Sequence, residues 1–483
     1  MSQLLRGVML LTLANATFLG SGYIIQVLLG KYLTPAEYGL FGVLIYIVNI
    51  MSTVFASGFM GGISRSIARH REAAHTILKN GIKIELVISG VMALIYAASA
   101  PLLEIVFHHP RAGMFIVFSA IFIPLYAIRT VYTGFLNGLK QFGAQAFTIL
   151  IAAIVKVILI VIFALLGYGL FHMLLAYFVG ALASLIMSYI YSFPYKNLTA
   201  SFENKALIRL AVLLSIFASL FPILNNLDLI LLKSLIEDAN ITGYYNAATT
   251  LARFPQFLFG SFGVALLPIV AELHAQQKIE ETKRAIGVLL RYGVIMLVPI
   301  VILAFVTSKE LMHFAYTPEY IVANSAFRIL LIALTLLAFA QMFLNTLISV
   351  GKEKIVLVLT VVALFGDAVL QTILIDMYGM EGAASATLIV SLLMLVACVV
   401  LLGRVIGDVQ ISHTSRFKIV IANMLLLLIA YFWQQRAPVQ EWMLFTWYIG
   451  MFLFYFILLI GIGEISREEL SSFWKSVQRK IKT

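Results

Sequence analysis

The chain has 483 residues, of which 62% are hydrophobic and only 11% charged, with a net charge of +11 at pH 7. Soluble proteins carry about a quarter charged residues, so this composition excludes a water-soluble globular enzyme and sets most of the surface against lipid or other helices. In a membrane protein a positive balance reflects basic cytoplasmic loops, and no nucleic-acid partner is expected.

Apolar runs of bilayer-spanning length, about 20 residues each, recur from end to end. Fourteen spans are predicted, near 8–30, 37–62, 82–107, 113–137, 143–167, 169–193, 207–235, 241–271, 285–307, 319–350, 354–377, 381–403, 416–433 and 441–463. The expected fold class is all-α and polytopic. The first span begins just after Arg6 and similar runs follow it, so it reads as retained, not as a cleaved signal peptide. The single cysteine, Cys398, lies inside a span, which excludes an intramolecular disulfide.

The 33 Lys and Arg test this layout. With the N-terminus cytoplasmic, 24 fall in inner loops or inner helix ends, five (Lys31, Arg111, Lys233, Lys309, Arg436) in outer loops, and four within spans. That bias is the positive-inside pattern. It puts both termini in the cytoplasm of a multi-pass protein, expected in the cell inner membrane.

Spans 1–6 and 7–12 read as two copies of one unit. TPAEYGLF at 34–41 matches ANITGYYNA at 239–247, NGLKQFG at 137–143 matches ISVGKEK at 348–354, and the turn at 167–186 matches that at 377–396. An even span number per copy makes the repeats parallel, a transporter arrangement with substrate between the halves. The expected division is an N-lobe at 1–200, a C-lobe at 201–410, two extra spans at 411–464, and a cytoplasmic tail at 465–483. In that tail Ser466 and Glu469 form a capping-box pattern. Its apolar face and its Lys and Arg suit a helix lying on the inner leaflet. No loop is long enough for a nucleotide-binding domain and there is no GxxxxGK[ST]. Energy must therefore come from a gradient, the membrane potential or a partner.

Charges inside spans cost about 2.5–3.5 kcal/mol each on insertion scales and mark function or internal pairing. Lys156, Arg253 and Asp367 fall near mid-membrane, Arg129 on the inner half of span 4, Arg328 and Asp228 in the outer parts of spans 10 and 7. The cations suit phosphate or carboxylate oxygens; pairing within the bundle and snorkelling are the alternatives. Span 7 carries a polar face of Ser215, Ser219, Pro222 and Asn226, flanked by Asn225 and Asp228. Pro222 also frees a carbonyl, so the span reads as cavity-lining, with interhelical hydrogen bonding as the alternative. Span 1 has a weaker stripe of Thr12, Asn15, Gly22 and Gln26, and Pro124, Pro255, Pro268 and Pro299 interrupt other spans. Eight scattered His form no metal-binding pattern, and no catalytic constellation is present. Neither an enzyme nor a cofactor is expected.

The outer-loop pattern LTPAEYGLF, the inner turn GFLNGLKQFG and NNLDLILLKSLIEDANITGYYNAATTLARFP resemble the polysaccharide transporter family of the multidrug/oligosaccharidyl-lipid/polysaccharide exporter superfamily. The chain is similar to O-antigen and capsule repeat-unit flippases along essentially its whole length. The resemblance implies a two-lobed fold, a cationic central cavity and alternating access. It implies transport of a polyprenyl-pyrophosphate-linked oligosaccharide across the bilayer, among membrane lipids, beside glycosyltransferases and a polysaccharide polymerase. By position Arg253 is similar to a basic lumen residue of related flippases. The arginines those relatives carry in span 1 are replaced here by Asn15 and Gln26.

On this reading Lys156, Arg253, Arg129 and Arg328 line the cavity as anion ligands, and Asn225 and Asn226 meet sugar hydroxyls. Asp228 and Asp367 pair with the cations or carry a coupling proton. The alternatives are a cation-coupled multidrug antiporter, in which the two acids dominate, and a membrane scaffold of a polysaccharide assembly complex.

Overall fold

The structure is a computed structural model, and it describes residues 3–202, 220–407, 409, 412–437 and 439–465. Among the described residues there are only helices and their connections, and eleven helices are long and apolar enough to cross a membrane. The predicted fourteen differ from these at three places. Residues 207–219 of the seventh predicted span lie outside the described set, the eighth is broken in its middle, and the eleventh and twelfth form one continuous helical assignment.

The chain divides into two compact units, Met1–Thr250 with Leu357–Ala386, and Leu251–Val356 with Thr387–Thr483. The first unit opens with α1 (Gln3–Tyr32) and α2 (Pro35–Arg69). Thr34 caps α2: its hydroxyl accepts from the Glu37 N–H at 3.3 Å while the Glu37 carboxylate accepts from the Thr34 N–H, also at 3.3 Å. With Pro35 at the first helical position, the sequence TPAE is a complete start signal. There follow α3 (Ala74–Ala98), α4 (Ala100–Val106), α5 (Ala112–Ala120), α6 (Phe122–Gly138), α7 (Phe142–Leu165) and α8 (Leu170–Ser192). The fourth predicted span is split at Ile121, three residues before Pro124, where the proline ring crowds the preceding turn and offers it no N–H; the expected interruption at Pro299 is not seen, since the helix Ile279–Val306 runs through it. Phe59, Ile63 and Ile67 of α2 pack with Ile77 and Leu78 of α3 and Val131 and Phe135 of α6 to form this unit's apolar centre.

Past the undescribed stretch come α9 (Leu227–Leu235) and α10 (Ala239–Ala252). Here the two segments that the sequence pairs as repeats touch each other. A Cβ on Gly39 would stand 2.6 Å from the Gly243 nitrogen, and one on Gly243 only 1.9 Å from the Pro35 carbonyl oxygen. The Asn246 amide donates to the Tyr38 carbonyl at 3.3 Å. Two glycines permit a backbone approach that no side chain would allow. The next helix, α11 (Phe254–Ala275), begins after a break at Arg253, two residues before Pro255.

The second unit continues with α12 (Ile279–Val306), α13 (Ser308–Ala315) and α14 (Asn324–Ser349). Then α15 (Glu353–Ile406) passes from one unit to the other and back. It is a hairpin, not a straight rod. Gly379 sits at φ 58°, ψ −130°, and the Gln371 amide donates to the Ala383 carbonyl at 3.3 Å. In a straight helix those residues would stand about 18 Å apart. The two predicted spans at 354–377 and 381–403 are its two arms.

The last helices, α16 (His413–Arg436) and α17 (Leu444–Gly461), pack on α12 through Ile295, Leu303, Ala422, Leu426, Tyr455 and Leu459. They are fastened at both ends. At one end Arg291 Nε donates to the Glu464 carboxylate at 2.7 Å, which also accepts from the Ser415 hydroxyl. At the other, Gln434 donates to Glu310 at 2.7 Å and His313 meets Glu441. Of the tail assigned to 465–483, residues 466–483 lie outside the described residues.

Two variants test these contacts. Gly243→Ala forces its Cβ against the Pro35 backbone and is expected to cost about 1–3 kcal/mol, the range for overpacking, read as a lower Tm in detergent. Arg291→Ala strands a Glu464 side chain that is 2% exposed. The expected loss is about 3 kcal/mol, the low end for breaking a buried pair, because Arg291 keeps 20% of its side chain exposed. Unchanged Tm values would count against both contacts.

Candidate anion site

Lys156 leaves α7 toward α8 and α1. Its ammonium lies 4.3 Å from the Tyr177 ring centroid and 5.1 Å from that of Phe18. Arg129, on α6, places its guanidinium 5.6 Å from the Tyr126 ring. Its Nε is buried without a hydrogen-bond partner among the described residues. The two cations are within electrostatic reach of one another. Among the described residues neither forms an ion pair with a carboxylate. The arrangement is two cations of the first unit held against aromatic faces.

The other expected site residues are distributed differently. The chain after Pro222 breaks at Asn225 and Asn226, where Asn226 has φ −133° and ψ 2°. The side-chain amides donate back to the Phe221 carbonyl at 3.0 Å and the Pro222 carbonyl at 2.7 Å. Their nitrogens therefore serve the break itself. Ser215 and Ser219 of the expected stripe lie outside the described residues, as does the side chain of Pro268.

Asp228 follows at the start of α9, 3% exposed. It accepts from its own next backbone N–H at 2.8 Å and from the Tyr245 hydroxyl at 2.7 Å. Asp367, 2% exposed, accepts from Gln371 at 3.4 Å. Both acids belong to the first unit and feel each other's charge. Arg253 stands at the break between α10 and α11. Arg328 belongs to the second unit, where its Nε donates to the Ser308 hydroxyl at 2.7 Å and its guanidinium lies 5.1 Å from the Phe305 ring. It fastens α14 to the start of α13.

Three buried charges escaped the sequence reading: Glu85, Lys233 and the Glu464 that Arg291 meets. Glu85 on α3 has no exposed surface, and both carboxylate oxygens lack hydrogen-bond partners among the described residues. Sorting only Lys and Arg by side passes over such an acid, although it lies within the predicted third span. Lys233, counted with the outer loops, is wholly buried in α9. The ring shell around Lys156 and Arg129 was also missed. Its signal was the recurrence of Tyr and Phe on the helices that carry the cations, a pattern that also occurs in ordinary packing.

Comparison with known proteins now places the chain. Residues 4–274, more than half of it, match the profile of the polysaccharide biosynthesis protein family, and residues 214–373 match that of MatE. The chain belongs to the polysaccharide biosynthesis protein family. It is 22% identical over 394 residues to an uncharacterised membrane protein of Methanocaldococcus jannaschii, covering 76% of this chain and 77% of that protein. Among solved structures it resembles the lipid II flippase MurJ in an inward closed conformation, with TM-score 0.76, 14% identity, and coverage of 96% of this chain and 99% of that one. An inward-facing multidrug resistance MATE family transporter gives 0.68, 13%, and 80% and 94%. A MOP superfamily transporter of Pyrococcus furiosus gives 0.56, 14%, and 84% and 94%; the reverse polarity of its binding pocket is described as suggesting a different function. The fold is one shared with MOP superfamily transporters, and its apolar helices make the chain a multi-pass membrane protein of the polysaccharide biosynthesis protein family.

The Asp228–Tyr245 contact has a testable worth. Tyr245→Phe leaves a buried carboxylate short of a donor and is expected to destabilise by about 1.5–3 kcal/mol. With Asp228→Leu the combined loss is expected to fall below the sum of the single losses. Strict additivity in a double-mutant cycle would show that the hydroxyl and the carboxylate do not interact.

Proposed function

We propose that the protein moves a polyprenyl-pyrophosphate-linked oligosaccharide from the inner to the outer leaflet for cell-surface polysaccharide synthesis. It does so by alternating access in the cell inner membrane, with both termini cytoplasmic. The observation that carries this reading is that Lys156 and Arg129, both in the first unit, are each held on an aromatic ring and neither is ion-paired with a carboxylate among the described residues. A diphosphate offers several oxygens to an ammonium and a guanidinium at once, and charge-assisted bonds of this kind are the strong ones. A cationic cargo would be repelled by the same pair, more so in a medium of low dielectric. The family match and the fold shared with a lipid II flippase support the reading. The proposal keeps Arg253 as a further anion ligand.

The second reading is a cation-coupled multidrug antiporter. It is favoured by Asp228 and Asp367, both buried in one unit and both within the segment that matches MatE. Deletion should then change resistance to cationic drugs. The flippase reading expects no change.

The decisive experiment is complementation of a host unable to export surface polysaccharide. Lys156→Ala, Arg129→Ala and Arg253→Ala are expected to insert normally and to fail to restore it. Each Ala removes a charge-assisted contact worth about 1.5–3 kcal/mol, or roughly 10- to 100-fold in affinity. Full rescue by both Lys156→Ala and Arg129→Ala would sink the proposal.

A further inference from the structure

The surroundings of Lys156 are built for it. α7 and α8 pack side by side, and a Cβ on Gly180 would stand 3.0 Å from the Ala152 carbonyl oxygen and 3.1 Å from the Lys156 Cβ. Glycine there leaves the notch past which the lysine stem runs. One turn earlier on α8, Tyr177 sets its ring 4.3 Å from the ammonium. That ring is itself fixed, edge-on to Phe41 of α2 with centroids 5.2 Å apart and planes at 72°. Phe41 has no exposed surface. Phe18 of α1 closes the other side at 5.1 Å.

A carboxylate could hold the ammonium in the same place, but an incoming anion would then have to displace it and leave a buried acid uncompensated. An aromatic face attracts the cation through its quadrupole. It does not use the three N–H donors as an acceptor would. It also offsets the repulsion from Arg129 without adding a competing negative charge.

We propose that Tyr177, braced by Phe41 and assisted by Phe18, is a positioning residue that takes the place of a counter-ion. It holds the Lys156 ammonium aimed, and the ring contact is kept while the N–H donors engage the diphosphate of the carrier lipid. This rests on the reading of Lys156 as a pyrophosphate ligand.

The test is binding of undecaprenyl pyrophosphate to the full chain in lipid nanodiscs, with Tm recorded for each variant. Tyr177→Leu is expected to weaken binding about tenfold, the worth of a desolvated cation–π contact. Tyr177→Phe keeps the face and is expected to bind within about twofold of the parent protein. In a Lys156→Gln background, Tyr177→Leu is expected to add no further loss, as a double-mutant cycle requires when one residue acts through the other. If Tyr177→Leu does not fold, Phe18→Leu replaces it, with a smaller loss that also vanishes in the Lys156→Gln background. The inference is overturned if the Leu variants bind like the parent, if Tyr177→Phe is as weak as Tyr177→Leu, or if the loss persists without Lys156. A parent protein that does not bind the lipid refutes the flippase reading itself, and this inference with it.

Discussion

A backbone carbonyl freed inside hydrocarbon has no water to turn to, and each unsatisfied group there costs several kcal/mol. Several departures from regular helix among the described residues are arranged around that constraint. Where the helix breaks after Pro222, the Asn226 amide donates to the Pro222 carbonyl that the break leaves without its helical N–H, and the Asn225 amide adds a second donor to the Phe221 carbonyl. At Gly379 the chain reverses, and Gln371 reaches across to the Ala383 carbonyl. At the start of α2 the TPAE segment satisfies its own first turn with Thr34 and Glu37. The polar residues that mark these places in the sequence are first of all repairs to the backbone.

The same constraint sorts the charges. Arg291 and Glu464 neutralise each other directly. Arg328 uses the Ser308 hydroxyl, Asp228 the Tyr245 hydroxyl and Asp367 the Gln371 amide. Lys156 uses aromatic faces, as Arg129 does in part. Of these solutions only the last leaves the donors of a cation uncommitted. The site therefore follows from how each charge is compensated, and not from the mere presence of charge in a span.

Much of the fold was legible because it is written in length and period. Runs of apolar residues gave the spans, TPAE gave a start, and Pro124 and Pro255 lie at breaks, whereas Pro268 and Pro299 stand inside unbroken helices. The Gly379 turn separates two spans where the sequence places it. What the sequence could not give was direction around the helix axis at single positions. Asn225 and Asn226 share a face with Asp228 by spacing, yet their amides turn back along their own helix. Arg328 and Lys156 are alike as intramembrane cations, and only their neighbours, Ser308 for one and Tyr177 for the other, distinguish a cation held by a hydrogen bond from one held by a ring. Glu85 was lost because a loop-charge argument weighs cations alone.

The contact of Gly39 with Gly243 bears on how such a protein moves. The two segments occupy corresponding places in the sequence repeats, and their backbones meet with no side chain between them. A glycine–glycine contact contributes little apolar burial of its own, since neither residue has a side chain to bury. It holds through the hydrogen bonds and rings beside it: Asn246 on the Tyr38 carbonyl, the Tyr38 hydroxyl near Thr250, and Tyr23 on the Thr250 carbonyl. Each of these is a polar contact that water can replace when the helices part. A close approach made from smooth backbone and hydrogen bonds is held by few apolar side-chain contacts of its own.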